Sequence, residues 1–83
     1  MKAITKKGAY EELANAIVVQ AVEDYRDALS LIRDESITEQ DYIDAQSTIR
    51  ECERFFRSDY YRVFTDVDGE YLIKMLQEEV EDG

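Results

Sequence analysis

From Tyr10 to Arg33 the apolar residues Leu13, Ile17, Ala21, Tyr25, Ala28, Leu29 and Ile32 recur at intervals of three and four. That interval brings side chains onto one face of an α-helix and onto no common face of a strand. A second row, Ala14, Val18 and Val22, runs beside the first and widens the apolar surface. At about 1.5 Å per residue this helix would reach roughly 36 Å. That is more than the remaining segments can fully cover in a compact monomer, so part of it is expected to face another subunit. No proline occurs in the 83 residues, and only three glycines, so little in the backbone chemistry interrupts helices. The expected fold is all-α, a compact bundle of three or four helices with a long first helix. Residues 1–8 read as a flexible basic tail and residues 9–83 as a single helical domain.

The helix boundaries have local signals. Thr38 stands where an N-cap hydroxyl can accept a backbone N–H, Asp41 occupies the capping-box position, and Ile37 with Tyr42 can form a hydrophobic staple. A second helix then runs to about Arg57 with Tyr42, Ala45, Ile49, Cys52 and Phe56 on its buried face. Ser58 can cap a short third helix ending at Phe64. The Asp66-Val67-Asp68-Gly69 turn leads into a last helix, from about Glu70 to Val80, with Leu72, Met75, Leu76 and Val80 buried. At this turn Gly69 is expected to supply conformational freedom and Asp66 or Asp68 to cap the helix. The same turn is a poor calcium loop. With Gly69 at position 6, Phe64 and Met75 fall where the first and last oxygen ligands belong.

Charge and residue types narrow the function. Twenty Asp and Glu outweigh ten Lys and Arg, for a net charge of −10, and Lys2, Lys6 and Lys7 concentrate positive charge in the tail. The body therefore repels nucleic acid and anionic membranes and is expected to bind neither directly. The longest apolar run, Ala16 to Val19, is far short of a membrane span. There is no histidine, and the single Cys52 has no base to activate it. It reads as a small buried hydrophobe in a reducing compartment. Adjacent carboxylates such as Glu11 with Glu12 diverge by about 100° on a helix and lack the burial that tunes a catalytic pKa. No enzymatic activity and no cofactor or metal are expected.

Phe55 to Phe64 packs five of the nine aromatic residues and two arginines into ten positions. At a helical corner, which turns different side chains to opposite sides, Phe56, Tyr60 and Phe64 would fill the core, leaving Tyr61 and Arg62 outside as binding contacts. Arg50, Arg54 and Arg57 align on one side of the second helix, a pattern that more often pairs with nearby acids than binds phosphate. Acids gather in two fields, Asp34, Glu35, Glu39, Asp41 and Asp44 around one turn, and Asp66, Asp68 and Glu70 with the C-terminal acids around another. Carboxylates three or four positions apart on a helix lie about 5–6 Å from one another, so a rigid helix can imitate the charge spacing of a nucleic-acid strand. The expected partner-binding residues are Asp34, Glu35, Glu39, Asp41, Asp44, Tyr61, Arg62, Asp66, Asp68 and Glu70, and the expected partner is a basic protein surface. A solvated acidic surface that only aids solubility is the plain alternative.

The strings Phe55–Tyr61, Asp66–Ile73 and Gln20–Leu29 resemble short helical proteins encoded by phages and prophages of Gram-positive bacteria. That resemblance brings no catalytic residues. It implies a bacterial cytoplasmic setting and, by analogy with anti-CRISPR proteins, an inhibitor that docks on the nucleic-acid site of a defence complex such as a type II CRISPR nuclease. The other expectation is a homo-oligomeric structural or adaptor phage protein, with a homodimer formed through the second row of the first helix.

Overall fold

The computed structural model describes residues 16–82, and these form four helices: α1 (Ala16–Ile32), α2 (Glu39–Phe56), α3 (Asp59–Phe64) and α4 (Gly69–Asp82). The chain is all-α, as its periodicity requires. The tail 1–8 and the stretch 9–15 of the first expected helix lie outside the described residues. Within them α1 has 17 residues and α2 has 18.

Each later helix starts on a side-chain cap three residues ahead of the N–H it accepts. Thr38 Oγ1 accepts from the Asp41 N–H at 3.1 Å, Ser58 Oγ from the Tyr61 N–H at 3.2 Å, and Asp68 Oδ2 from the Tyr71 N–H at 2.9 Å. Each satisfies a donor that the first helical turn leaves without an internal acceptor. Gly69 serves a different purpose from the one the turn suggested. None of the described glycines has a positive φ. Instead, a Cβ at Gly69 would run into the Phe56 carbonyl oxygen, so only glycine lets α4 start against the end of α2.

α1 packs most extensively on α2, and α4 closes over both. The core comprises Val18, Val22 and Tyr25 from α1, Cys52 and Phe56 from α2, Tyr61 from α3, and Leu72, Ile73 and Leu76 from α4. Burying a side chain such as Leu72 contributes about 1.5–3 kcal/mol. Towards the other end of the α1–α2 pair the buried residues are small, Ala28 and Ala45.

Two expectations about burial are reversed. Val18 and Val22, the row assigned to another subunit, are fully buried within the chain, whereas Ile17 of the first row is 49% exposed. Along α1 the Val18–Val22–Tyr25 line is the one facing both α2 and α4, so it cannot hold a second copy. Tyr42 is also exposed, and Gln46 Nε2 donates to its hydroxyl on the helix surface. In α4 the sequence pattern overlooked Ile73, which is buried, while Met75 and Val80 are partly covered.

Candidate functional site

The break between α2 and α3 determines which aromatic groups can meet a partner. α2 ends at Phe56, with the Arg57 N–H bonded to the Glu53 carbonyl, and Ser58 adopts an extended conformation before α3 begins. The helical register is therefore reset, and Tyr60 and Tyr61 exchange the places expected of them. Tyr61 is 1% exposed and Tyr60 is 59% exposed. The Tyr61 ring meets Phe55 and Phe56 edge-on at centroid distances of 5.6 and 5.8 Å. It is a core residue, not an outer contact. Phe56 is buried as expected, and Phe64 is partly covered beneath Tyr60 at 4.9 Å.

Tyr61 nevertheless reaches a surface feature. A cleft of about 430 Å³ opens between α3 and the start of α4, lined by Phe56, Arg57, Tyr61, Arg62, Thr65, Asp66, Val67, Asp68, Gly69 and Glu70. Five of the ten expected partner-binding residues, Tyr61, Arg62, Asp66, Asp68 and Glu70, thus share one site. The carboxylates there differ in availability. Arg57 Nε donates to Glu70 Oε2 at 2.5 Å and its Nη1 lies 3.6 Å from Glu53, so Glu70 is already neutralised within the chain. That bond also pushes the Arg57 pKa further up. Asp68 uses one oxygen as the α4 cap. Asp66 and Arg62 stand exposed at the rim.

The Tyr61 hydroxyl is itself buried and finds no hydrogen-bond partner among the described residues. Burial, with the negative charge of Asp68 added, pushes its pKa up to about 12. A phenol with no partner bears the desolvation cost without a compensating bond.

The other acidic field is dispersed. Asp34 Oδ1 accepts from both the N–H and the hydroxyl of Ser36, tying the turn after α1, and the backbone bond holds its pKa below the usual carboxylate value. Glu39 and Asp41 sit in the first turn of α2, where negative charge favours the helix dipole. Asp34, Glu35, Glu39 and Asp41 are all exposed but line none of the grooves described here.

Asp44 is the exception, and it leads to acids that the sequence pattern passed over. It lines an α1–α2 groove of about 400 Å³ together with Asp24, Asp27, Ala28, Leu31, Ala45 and Thr48. Asp27 also lines a second groove, of about 750 Å³, between α1 and α4, with Glu23, Arg26, Ser30, Met75, Glu78, Glu79, Val80 and Asp82. Glu23, Asp24, Asp27, Asp44, Glu78, Glu79 and Asp82 therefore form an acidic tract across three helices. Arg26, the basic residue among the lining groups, is paired with Glu79 at 3.3 Å. The signal in the sequence was the spacing of three between Asp24 and Asp27 and of four between Glu23 and Asp27.

Cys52 is buried, its Sγ lies 3.6 Å from the Ala21 carbonyl it donates to, and burial with neighbouring acids pushes its pKa up to about 11. That environment suppresses the thiolate. Among the described residues no group of three or more possible ligands is arranged to hold a metal ion, and no helix is long and apolar enough to cross a membrane. Comparison with protein-family models, with curated proteins and with solved structures gives no match to this chain.

Proposed function

We propose that the protein is a phage-encoded inhibitor of a bacterial defence system, which occupies a basic nucleic-acid site on its target with the acidic tract across α1, α2 and α4. The observation that carries this reading is Asp27, which belongs to two grooves at once and joins carboxylates from three helices into one surface. A helical bundle holds such groups without reorganisation, and a fixed array of charges suits a cationic groove better than a mobile acidic tail. The partner is a basic protein surface, and the acids take the place of phosphates.

The test is DNA cleavage by a purified type II CRISPR nuclease, measured with rising amounts of the protein at low and high ionic strength. Inhibition should be strong at low salt, fall steeply as salt screens the charges, and disappear when Asp24, Asp27 and Asp44 are changed to Asn. Inhibition that ignores salt, or that survives the triple change, overturns the reading, as does the absence of any inhibition.

A further inference from the structure

α4 packs on both α1 and α2, yet a furrow between those two helices stays uncovered. It consists of a groove of about 250 Å³ that includes Ile17 and Phe55 and one of about 400 Å³ that includes Leu31. The two share Asp24, and no residue of α3 or α4 lines either. Ala21 and Ala28 on α1, and Ala45 and Cys52 or Asp44 and Glu51 on α2, stand one heptad apart. Such positions return to nearly the same side of a helix, so the grooves run on into one another. Small side chains, Ala21, Ala28, Ala45 and Cys52, make the floor. Asp24, Asp27, Asp44 and Glu51 are exposed along it, and no lysine or arginine lines it. Among the described residues none of these four acids is in an ion pair. Ile17, 49% exposed, and Leu31, 40% exposed, stand two heptads apart on α1, on either side of the acids.

An acidic surface that only keeps the chain in solution needs neither apolar ends nor a small-residue floor. A ligand for this furrow is cationic along its middle, apolar at two points and rod-shaped. An extended peptide would bring backbone N–H and C=O groups that the helical walls, already bonded internally, cannot satisfy, whereas a helix bonds its own. Small contact residues also let helix axes approach to about 8–10 Å. A second copy carries the same net charge of −10 and is repelled. We propose that the furrow receives one basic amphipathic α-helix of the partner protein, its lysines or arginines over Asp24, Asp27, Asp44 and Glu51 and its apolar side chains against Ile17 with Phe55 and against Leu31. This rests on the reading of the protein as a binder of a basic surface and names the element bound, a helix laid in a groove through regularly spaced anchors.

The experiment titrates the full chain with a synthetic helical peptide of about 20 residues, long enough to span the furrow, with leucines two heptads apart and lysines between them on the same face. The backbone amide signals of Ala21, Ala28 and Ala45 are followed by NMR. Saturable shifts are expected, with binding about tenfold weaker in the double variant Ile17→Ser, Leu31→Ser, which keeps the charge and loses apolar contact, and weaker also in Asp24→Asn with Glu51→Gln. All four positions are exposed, so both variants should fold. Equal binding of a peptide with the same residues in scrambled order, or binding that the serine variant leaves unchanged, means that charge alone acts and overturns the proposal. So does the absence of saturable shifts, or shifts confined to Glu23, Glu78 and Asp82 beside α4. If the furrow amides move with protein concentration alone, a second copy fills it, and if changing Lys2, Lys6 and Lys7 to Ala moves them, the chain's own N-terminal segment does. Either result overturns the proposal. If the serine variant inhibits the nuclease as the native chain does and inhibition still falls with salt, the helix assignment falls and the acidic-surface reading stands. If the peptide binds as expected but no salt-dependent inhibition is found, the furrow is a helix site and the inhibitor reading falls.

Discussion

Tyr25 and Tyr61 are both sealed from solvent, and they treat their hydroxyls in opposite ways. Tyr25 Oη donates to Glu53 Oε2 at 2.7 Å and accepts from Gln77 Nε2 at 3.1 Å, so one phenol ties α1 to α2 and α4. Its ring meets Phe56 edge-on at 5.6 Å. Tyr61 meets the same phenylalanine at 5.8 Å, yet its hydroxyl bonds to none of the described residues. The two rings do similar apolar work. The difference lies in one oxygen atom each, and it separates a residue placed for stability from one whose polar atom costs stability unless something else meets it.

Substitution by phenylalanine makes the comparison quantitative. Tyr25→Phe should cost about 1–3 kcal/mol, because it strips a charged acceptor and an amide donor of their shared partner. Denaturant unfolding measures this, and a loss near zero would mean that Glu53 and Gln77 find water equally well. Tyr61→Phe should leave stability unchanged or raise it by up to about 1 kcal/mol, since only an unsatisfied group is removed. A clear destabilisation would show that the hydroxyl has a structural partner.

Alkaline pH sharpens the same contrast. Burial pushes both phenols above the ordinary value of 10.0, Tyr61 to about 12. The folded state thus holds these protons more tightly than the unfolded chain. The resulting stability is complete below pH 10 and is lost as pH rises through the folded values. Unfolding measured between pH 10 and 12 should therefore fall off less steeply in Tyr61→Phe than in the native chain. Cys52 provides the smallest test. With its thiol pushed up to about 11, it should react with a disulfide reagent at neutral pH more slowly in the folded protein than in denaturant. Equal rates would mean that the α1–α2 contact opens readily.

Much of the backbone was legible in the sequence. Thr38, Ser58 and Asp68 each bond to an N–H three residues on, and an interaction of that range depends on nothing remote. The periodic apolar positions Tyr25, Ala45, Cys52, Phe56, Leu72 and Leu76 are all buried for the same reason. The site was legible only in part. The run from Tyr61 to Glu70 does surround one cleft, but its members were assigned by charge and aromatic type alone. That reasoning could not tell that Glu70 is taken by Arg57 or that Tyr61 faces inward.

The amino-acid order alone settled that this chain is helical, where three of its helices begin, and that its surface is strongly anionic, because propensity, capping and charge are properties of residues and their near neighbours. Tertiary packing decided the rest. Which of two apolar rows of α1 became core depended on where α2 and α4 could reach it. Which tyrosine of the Tyr60–Tyr61 pair turned inward depended on the helix breaking at Arg57 and Ser58. Asp44 became a neighbour of Asp24 and Asp27 only when α1 and α2 lay side by side, since proximity across two helices is fixed by their packing and by no local rule.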